Sequence, residues 1–183
     1  WIVDPLDGTR NFIHDIPHFS ISIALRVHGR IEHGVIYDPI REELFTASHG
    51  GGAFLNDRRI RVGDQKNLDR AMFATGFPFR ARQRLDDYMR LFRAILDETG
   101  DVRRAGSAAL DLAYVAAGRL DGFWELGLSP WDMAAGALLI QEAGGMATDF
   151  SGGRDFMETG DIVAGNLKIV AKLQQLIRAN WKG

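Results

Sequence analysis

The stretch WIVDPLDGTRN, residues 1–11, ends an apolar run in two aspartates three residues apart, Asp4 and Asp7. The three apolar residues before Asp4 are typical of the end of a buried strand, and Pro5 biases its predecessor toward extended geometry. We therefore expect both carboxylates to lie in a turn. A helix is predicted immediately afterwards, from Thr9 to Ile13, so that negative charge lies beside backbone N–H groups that can bind anions.

The chain that follows this turn is rich in predicted strands. HFSISIALRV (18–27) and RIEHGVIYDP (30–39) flank the turn residues His28 and Gly29 and form a predicted antiparallel hairpin. EELFTAS (42–48) adds a third strand, and GGAFLNDRRIRV (51–62) is a second hairpin that turns at Asn56 and Asp57. Alternation in the first of these strands predicts one apolar face, made of Phe19, Ile21, Ile23 and Leu25.

The pattern changes after the polar segment GDQKNLDR (63–70), which we take as a domain boundary. Residues 1–66 are predicted as an antiparallel-sheet domain and residues 67–183 as an α/β domain, so the fold class is α+β or α/β. Strands and helices alternate in the second part. The predicted helices are a long one from about Arg80 to Thr99, two that are apolar almost all round within 106–118 and 130–145, and a final one, Leu167 to Trp181, capped by Asn166.

Composition sets limits on function. The 183 residues are 46% hydrophobic and carry a net charge of −2, which gives no overall attraction to nucleic acid or anionic membrane. The absence of cysteine excludes disulfides and thiolate metal sites. No apolar stretch approaches the roughly 20 residues that span a bilayer. We expect a cytoplasmic protein without a membrane partner.

Three aspartates are candidates for binding a hard cation such as Mg²⁺, which prefers oxygen ligands. Asp4 and Asp7 lie on one short segment, and Asp132 follows Ser129 and Pro130 at the start of an apolar helix. The same three residues also allow a purely structural interpretation. Asp4 and Asp7 would then end a strand and shape a turn, while Asp132 would complete a capping box that begins at Ser129.

Two further segments could contact a ligand. Gly106 and Ser107 begin a buried helix whose first N–H groups could bind a phosphate or a hydroxyl group, although any helix start has the same groups. Glu125 closes an otherwise apolar strand, where a buried unpaired carboxylate would be costly. It is therefore either exposed at the strand end or bound to the hydroxyl groups of a ligand.

The segment from Arg80 to Arg93 offers a basic face that could bind RNA or a component of the transcription machinery. The simpler interpretation is an amphipathic helix with a solvated basic side. Its buried apolar stripe would consist of Leu85, Tyr88, Met89, Phe92 and Leu96.

DPLDGT (4–9) and WDMAAGALLIQEAGG (131–145), with GSAALDLAYVAAGRLDGFWE (106–125) between them, resemble the motifs of the inositol monophosphatase family, particularly its bacterial inositol-1-monophosphatases. The resemblance covers the whole chain and implies a layered α-β-α-β-α sandwich of the sugar-phosphatase type. It also implies Mg²⁺-dependent hydrolysis of inositol 1-phosphate or a similar phosphate monoester by an activated water, sensitivity to lithium and a homodimer.

The same resemblance implies a role for individual residues. The metal ligands would be Asp4, the backbone carbonyl of Leu6, Asp7 and Asp132, with Asp4 bridging two ions. Thr9 would orient the attacking water, and the amides of Gly8 and Thr9 would hold the phosphate. The substrate side would be lined by Gly106, Ser107, Ala108 and Glu125, the last of which would bind ring hydroxyls.

The chain begins without methionine and inside an apolar strand, so we expect it to be the C-terminal portion of a longer protein. The family resemblance implies a glutamate-containing motif ahead of DPLDGT that supplies another metal ligand, together with the first helices that cover the sheet. We expect the 183-residue chain on its own to be inactive or nearly so. An intact mass of about 20 kDa for the native gene product would contradict this expectation.

Overall fold

A computed structural model describes residues 1–79 and 81–181. Its first sheet has six antiparallel strands that lie side by side in sequence order. The strands are β1 (Ile2–Asp7), β2 (Ser20–Val27), β3 (Arg30–Asp38), β4 (Glu43–Ser48), β5 (Gly52–Leu55) and β6 (Arg58–Arg59). Both predicted hairpins are confirmed. Asn56 and Asp57 have φ angles of 45° and 62°, as a tight two-residue turn requires.

The prediction for the opening segment is wrong in two respects. β1 extends through Asp7, so the two aspartates lie on a strand rather than in a turn, and its pairing with β2 shifts register between Asp4 and Asp7. The strand is also an edge strand rather than a buried one, since its Val3 is 46% exposed and Trp1, just before it, is 81% exposed. Pro5 is tolerated there because an edge strand has one row of N–H groups without a neighbour.

The apolar residues of β2 share one face as predicted, but that face is not the more deeply buried one. Ser20, Ser22 and Ala24 are buried, whereas Ile21 is 37% exposed. The reason is a close approach of a helix to the inner face of the sheet. A Cβ at Gly34 of the neighbouring strand would lie 3.1 Å from backbone atoms of Ala135, so only small side chains fit where the helix crosses this part of the sheet.

The second sheet is mixed and has five strands in the order β10-β11-β9-β7-β8. β7 runs parallel to β8 and β9, while β11 is antiparallel to β9 and β10. The strands are β7 (Met72–Thr75), β8 (Asp101–Arg103), β9 (Gly122–Glu125), β10 (Met146–Thr148) and β11 (Ile162–Gly165).

Helices occupy the layers between and outside the sheets. They are α1 (Thr9–Ile13), α2 (Leu85–Glu98), α3 (Ala108–Ala116), α4 (Pro130–Glu142), α5 (Phe156–Thr159) and α6 (Leu167–Asn180), with short 3-10 turns at Leu68–Arg70 and Arg82–Arg84. One buried apolar cluster surrounds α3 and α4 between the two sheets, and another lies between the second sheet and the pair α2 and α6. The predicted layered sandwich is confirmed, and so is the burial of the two apolar helices.

The long helix differs from its prediction at its start and in its orientation. α2 begins at Leu85, and Arg80 lies outside the described residues. Tyr88, Leu91 and Ile95 are its buried residues, whereas Met89 is 46% exposed. The hydroxyl groups of Tyr88 and Thr75 lie 3.0 Å apart, which fixes this face of the helix against the end of β7.

The final helix agrees with the sequence. The Asn166 side chain accepts hydrogen bonds from the N–H groups of Lys168 and Ile169, both at 3.0 Å, as predicted for its cap. The polar segment 63–70 lies between the last strand of the first sheet and the first strand of the second. The division into two domains at residue 66 stays a prediction. Within the described part of the chain, no helix combines the length and apolar content that crossing a bilayer requires.

Candidate active site

Three carboxylates from distant parts of the sequence converge at one end of the layered structure. Asp4 and Asp7 from β1 and Asp132 from the first turn of α4 each offer an oxygen atom, and these atoms all lie within 4.8 Å of one another. We call these residues the three-aspartate cluster. The set contains only hard oxygen donors, so its chemistry fits Mg²⁺. The assignment of these residues as ligands stays a prediction.

The β1 segment holds its own geometry with local hydrogen bonds. The Leu6 N–H donates to Asp4 Oδ1 at 3.0 Å, and the Thr9 hydroxyl donates to the Leu6 carbonyl at 2.8 Å. A carbonyl oxygen has two lone pairs, so the Leu6 carbonyl can accept this bond and still bind a cation. Gly8 adopts φ of 86°, and a Cβ there would lie 2.9 Å from the His18 carbonyl oxygen, so the tight connection to α1 requires glycine.

Asp7 is buried, and hydrogen bonds connect it to the start of α3. Its Oδ2 accepts from the Ser107 hydroxyl at 2.5 Å and from the Ala109 N–H at 2.9 Å. Burial raises the pKa of Asp7 to about 6; these two bonds lower it, while the charges of Asp132 and Asp4 raise it further. The sequence offered the first N–H groups of this helix to a ligand, but one of them, that of Ala109, binds Asp7 instead.

Asp132 serves as a helix cap as well as a member of the cluster. The Ser129 N–H donates to Asp132 Oδ2 at 2.8 Å, which completes the predicted capping box. A carboxylate has about four acceptor positions, so capping does not prevent cation binding. The two interpretations of Asp132 that the sequence left open are therefore compatible.

A cleft of about 380 Å³ opens beside the cluster and brings together most of the predicted substrate residues. Asp7 and Asp132 form its cluster end. The predicted residues that line the rest of it are Gly106, Ser107, Ala108 and Glu125. Asp4, Leu6, Gly8 and Thr9 do not line this cleft, although Asp4 belongs to the adjoining cluster.

Glu125 lies at the end of β9 and is partly exposed in this cleft. Its carboxylate packs directly over Gly76, where an added Cβ would fall 2.0 Å from Glu125 Oε1. Position 76 therefore has to lack a side chain if Glu125 is to keep this position. The sequence did not identify Gly76, because its role depends on a contact between two strands.

Asn11 is a buried residue that the sequence analysis missed. Its side-chain amide donates to the His18 carbonyl at 2.7 Å and to the Ala105 carbonyl at 2.9 Å. These bonds tie α1 to the loop before Gly106, which has φ of 91°. Asn11 thereby fixes the position of the loop that carries Ser107 relative to Asp7.

Two arginines that sequence reasoning also missed lie at the mouth of the cleft. The guanidinium carbons of Arg10 and Arg104 are 5.2 Å and 5.3 Å from the ring centroid of Phe79, and all three residues line the cleft. Neither arginine forms an ion pair with any residue in 1–79 or 81–181. The mouth of the cleft thus has positive charge available for an anionic ligand.

Asp111 is a third residue missed in the sequence. It lies in α3, is only 2% exposed and lines the cleft. Burial raises its pKa well above the usual range, as do the charges of Glu125 and Asp7, while Arg104 acts in the opposite direction. A carboxylate inside an apolar helix, AALDLAYVAA, is a signal from which the sequence could have identified this residue.

The predicted basic face is largely neutralised by acidic partners. Arg84 pairs with Asp161, Arg90 with Asp87, and Arg93 with Asp97 at 3.8 Å. Arg82 is exposed, while Arg80 lies outside the described residues. The arginines of this helix therefore give a weaker basic surface than their number in the sequence suggests.

Comparison with known proteins gives consistent results. The model of the inositol monophosphatase family matches residues 1–182. Nus factor SuhB of Pseudomonas aeruginosa is 58% identical over 180 residues, which cover 97% of this chain and 66% of that protein. Inositol-1-monophosphatase of Rhizobium meliloti is 55% identical over 178 residues, covering 97% and 67%. The chain therefore spans about two thirds of the length of these relatives.

The fold agrees with a solved structure. The crystal structure of the extragenic suppressor protein suhB from Bartonella henselae superimposes with a TM-score of 0.93 at 52% identity, covering 96% of this chain and 67% of that one. The family match extends from the first strand, which carries two of the aspartates, to the last helix. This chain belongs to the inositol monophosphatase family.

Proposed function

We propose that this chain forms the catalytic part of a Mg²⁺-dependent phosphatase that hydrolyses the phosphate monoester of a polyol, with inositol 1-phosphate as the first candidate. The observation that carries the proposal is the convergence of Asp4, Asp7 and Asp132 beside a cleft lined by Glu125 and Ser107. The name of the Rhizobium meliloti relative supports the choice of substrate.

The carboxylates of the three-aspartate cluster and the Leu6 carbonyl would hold the metal. Bound divalent cations neutralise the charge of a phosphate ester, lower the pKa of water and stabilise a leaving alkoxide. Burial and mutual repulsion make the cluster unfavourable without a cation, as the raised pKa of Asp7 indicates. The Ser107 and Ala109 donors orient the Asp7 carboxylate, so its oxygens are fixed before a ligand arrives.

The remaining residues would bind the substrate and the water. The Thr9 hydroxyl, held by the Leu6 carbonyl, would orient the attacking water, and the amides of Gly8 and Thr9 would hold the phosphate. The reaction consumes one water and yields the free alcohol and inorganic phosphate. Glu125 would accept hydrogen bonds from ring hydroxyls of the polyol, and the cationic mouth of the cleft would attract the anionic substrate.

The test is phosphate release from inositol 1-phosphate by the intact native protein, with and without Mg²⁺. In Asp132→Asn we expect activity to fall by more than about 100-fold, because a cation ligand loses its charge. Asparagine is itself a good capping residue, so the start of α4 should persist. Asp87→Asn is the control and should keep full activity, because Asp87 is a partly exposed residue of α2 that pairs with Arg90 and does not line the cleft. Normal activity in Asp132→Asn would contradict the proposal.

The family resemblance adds finer expectations to this proposal. Lithium should inhibit the intact protein, and the protein should be a cytoplasmic homodimer. Lithium titration of phosphate release and sedimentation at micromolar concentration check the first and third of these properties. Activity that is unchanged by lithium, or a sedimentation coefficient of a monomer, would contradict the corresponding expectation.

We propose a second function in transcription, because relatives such as that of Pseudomonas aeruginosa carry the name Nus factor. The Arg80 to Arg93 face would then bind RNA or the transcription machinery, with a steep salt dependence that persists in Asp4→Ala. The ion pairs of Arg84, Arg90 and Arg93 reduce the charge available for this role. Unchanged RNA binding after joint replacement of Arg82, Arg84 and Arg90 would contradict the use of this face.

A further inference from the structure

Asp111 has a combination of properties that the proposed chemistry leaves unexplained. It is 2% exposed, and its carboxyl group accepts no hydrogen bond and forms no ion pair with the residues in 1–79 and 81–181. Polar groups of buried residues nearly always have a partner, whereas the Asp111 oxygens have none among the described residues and are accessible only from the cleft rather than fully enclosed. The side chain borders the cleft, so a bound molecule could supply the partner.

Packing does not account for an aspartate at this position. The neighbours of Asp111 on α3, Leu110 and Leu112, are fully buried apolar residues in the core between the sheets. An apolar residue at 111 would bury this position without the desolvation cost of a carboxyl group. A carboxyl group kept here is therefore better explained by the cleft than by the core.

The position of Asp111 relative to the three-aspartate cluster defines what it could contact. Its N–H donates to the Ser107 carbonyl at 3.0 Å, so the two residues are one helical turn apart on the same side of α3. Ser107 contacts Asp7 at the cluster end. Four residues of helix advance about 6 Å, so Asp111 lies about 6 Å further along α3 than Ser107, which contacts the cluster end of the cleft.

Glu125 lines the same cleft and is close enough for its charge to act on Asp111, so this part of the cleft presents two carboxyl groups. Carboxyl groups accept hydrogen bonds from hydroxyl groups, and a hydroxyl group can satisfy a buried acceptor without bringing a charge. A ligand with hydroxyl groups several atoms away from its phosphate matches this distribution. An aryl phosphate has no hydroxyl group to offer.

We propose that Asp111 is a specificity-determining residue that hydrogen-bonds a substrate hydroxyl group at the end of the cleft remote from the three-aspartate cluster. The inference rests on the proposed phosphatase function and deepens it. It selects phosphate monoesters of polyols whose hydroxyl groups extend away from the phosphate over esters of plain aryl alcohols. Asp111 would act alongside Glu125, on a different hydroxyl group.

The test compares inositol 1-phosphate with phenyl phosphate as substrates of the intact native protein in saturating Mg²⁺. In Asp111→Ala, we expect KM for inositol 1-phosphate to rise about three- to tenfold, as the loss of one buried hydrogen bond predicts. The kcat/KM for phenyl phosphate should stay within about twofold of the native value. Asp111→Asn keeps a group that can accept a hydrogen bond, so it should restore KM for inositol 1-phosphate to within about threefold.

Thermal unfolding of the ligand-free variants separates specificity from a structural role. Removal of an unpaired buried carboxyl group should leave Tm unchanged or raise it, so Asp111→Ala should fold. Leu112→Ala is the matched control on the same helix. It removes a core side chain outside the cleft, so it should lower Tm but leave the ratio of the two kcat/KM values unchanged.

The proposal is overturned if Asp111→Ala leaves KM for inositol 1-phosphate unchanged, or if it lowers kcat/KM for both substrates by the same factor. A lower Tm together with equal losses would identify Asp111 as a structural residue. If the native protein hydrolyses neither substrate with Mg²⁺, the phosphatase proposal itself fails. Hydrolysis of both substrates by the native protein with no selective effect of Asp111→Ala refutes the specificity role alone.

Discussion

Two buried aspartates, Asp149 and Asp7, have pKa values that are shifted in opposite directions. Asp149 lies in the loop after β10, where it accepts hydrogen bonds from Ser151, Gly153 and Asp155. Although burial acts to raise its pKa, these bonds hold the pKa of Asp149 below the usual range. Burial outweighs the hydrogen bonds of Asp7, and nearby carboxylates add to the effect, so its pKa rises to about 6.

This is the difference we expect between a carboxylate that stabilises the fold and one that binds a ligand. The protein surrounds the charge of Asp149 with donors of its own, so that loop is satisfied without a ligand. The negative charge of Asp7, in contrast, is buried near two other carboxylates, and a cation would remove this unfavourable interaction. A carboxylate with too few donors and too many like charges is thus a better indicator of a binding site than burial alone.

The largest expected effect comes from Asp7→Asn. Removal of one charge from the three-aspartate cluster should lower Mg²⁺-dependent phosphate release by more than about 1000-fold, since both the cation and its orientation are affected. Thermal stability without Mg²⁺ should be unchanged or higher, because the repulsion from Asp4 and Asp132 disappears. Steady-state kinetics and thermal unfolding check the two parts. If Asp7→Asn kept its activity but lost stability, Asp7 would be a structural residue like Asp149, and the prediction would be wrong.

The pH dependence of stability should have opposite signs for the two residues. Asp7 has a raised pKa in the folded protein, so the metal-free protein should lose about 3 kcal/mol of its free energy of unfolding as pH rises from 3.8 to about 6. Asp149 has a lowered pKa, so its contribution is present above the usual aspartate pKa and is lost as pH falls below it. Urea unfolding of the native protein and of Asp7→Asn between pH 4 and pH 7 isolates the first effect.

Mg²⁺ should reverse the Asp7 part of this dependence. Cation binding requires ionised carboxylates, so saturating Mg²⁺ should raise Tm more at pH 7 than at pH 5. An equal rise in Tm at both pH values would show that the cation binds elsewhere. The same titration of Asp7→Asn supplies the control.

Asp149→Asn should affect stability rather than catalysis. The amide cannot accept all the hydrogen bonds of the carboxylate and leaves buried N–H groups short of an acceptor, so the free energy of unfolding should fall by about 1–3 kcal/mol. The kcat of the folded fraction should not change, because the loop after β10 does not line the cleft beside the cluster. A loss of kcat without a loss of stability would place Asp149 in the functional site instead.

The smallest expected effect is that of Asn11→Ala, which acts on Asp7 indirectly. Loss of the bonds to the His18 and Ala105 carbonyls frees the loop that carries Ser107, the main donor to Asp7. We expect kcat/KM to fall about tenfold and Mg²⁺ to bind more weakly, as for other residues that position metal ligands. Asn11→Asp changes the amide donor to an acceptor and should be no better, whereas a fully active Asn11→Ala would exclude a positioning role.

The sequence predicted those parts of the site that depend on local rules. Ser129, Pro130 and Asp132 formed a capping box as predicted, and the connection after Asp7 turned into α1 where glycine allowed it. Family resemblance paired Asp132 with the two aspartates of β1. Local patterns could not do so, because Asp7 and Asp132 lie 125 positions apart in the sequence.

The errors have a common physical cause. Alternation in β2 and the helical period in α2 identify which residues share a face, but they do not say which face is inward. In β2 the larger side chains point outward because α4 requires small ones, and in α2 the contact of Tyr88 with Thr75 selects another stripe. Gly76 and Asn11 were missed for the same reason, since each acts across the fold.

The close contact between Gly34 and Ala135 has a consequence for ion selectivity. Backbone lies almost directly on backbone there, so α4 cannot approach the sheet more closely, and Asp132 is held at a set height above Asp4 and Asp7. A methyl group at position 34 would lift the helix and widen the gap between the carboxylates. A residue remote from the ion would in that way shift the preferred ionic radius, from that of Mg²⁺ toward that of a larger ion such as Ca²⁺.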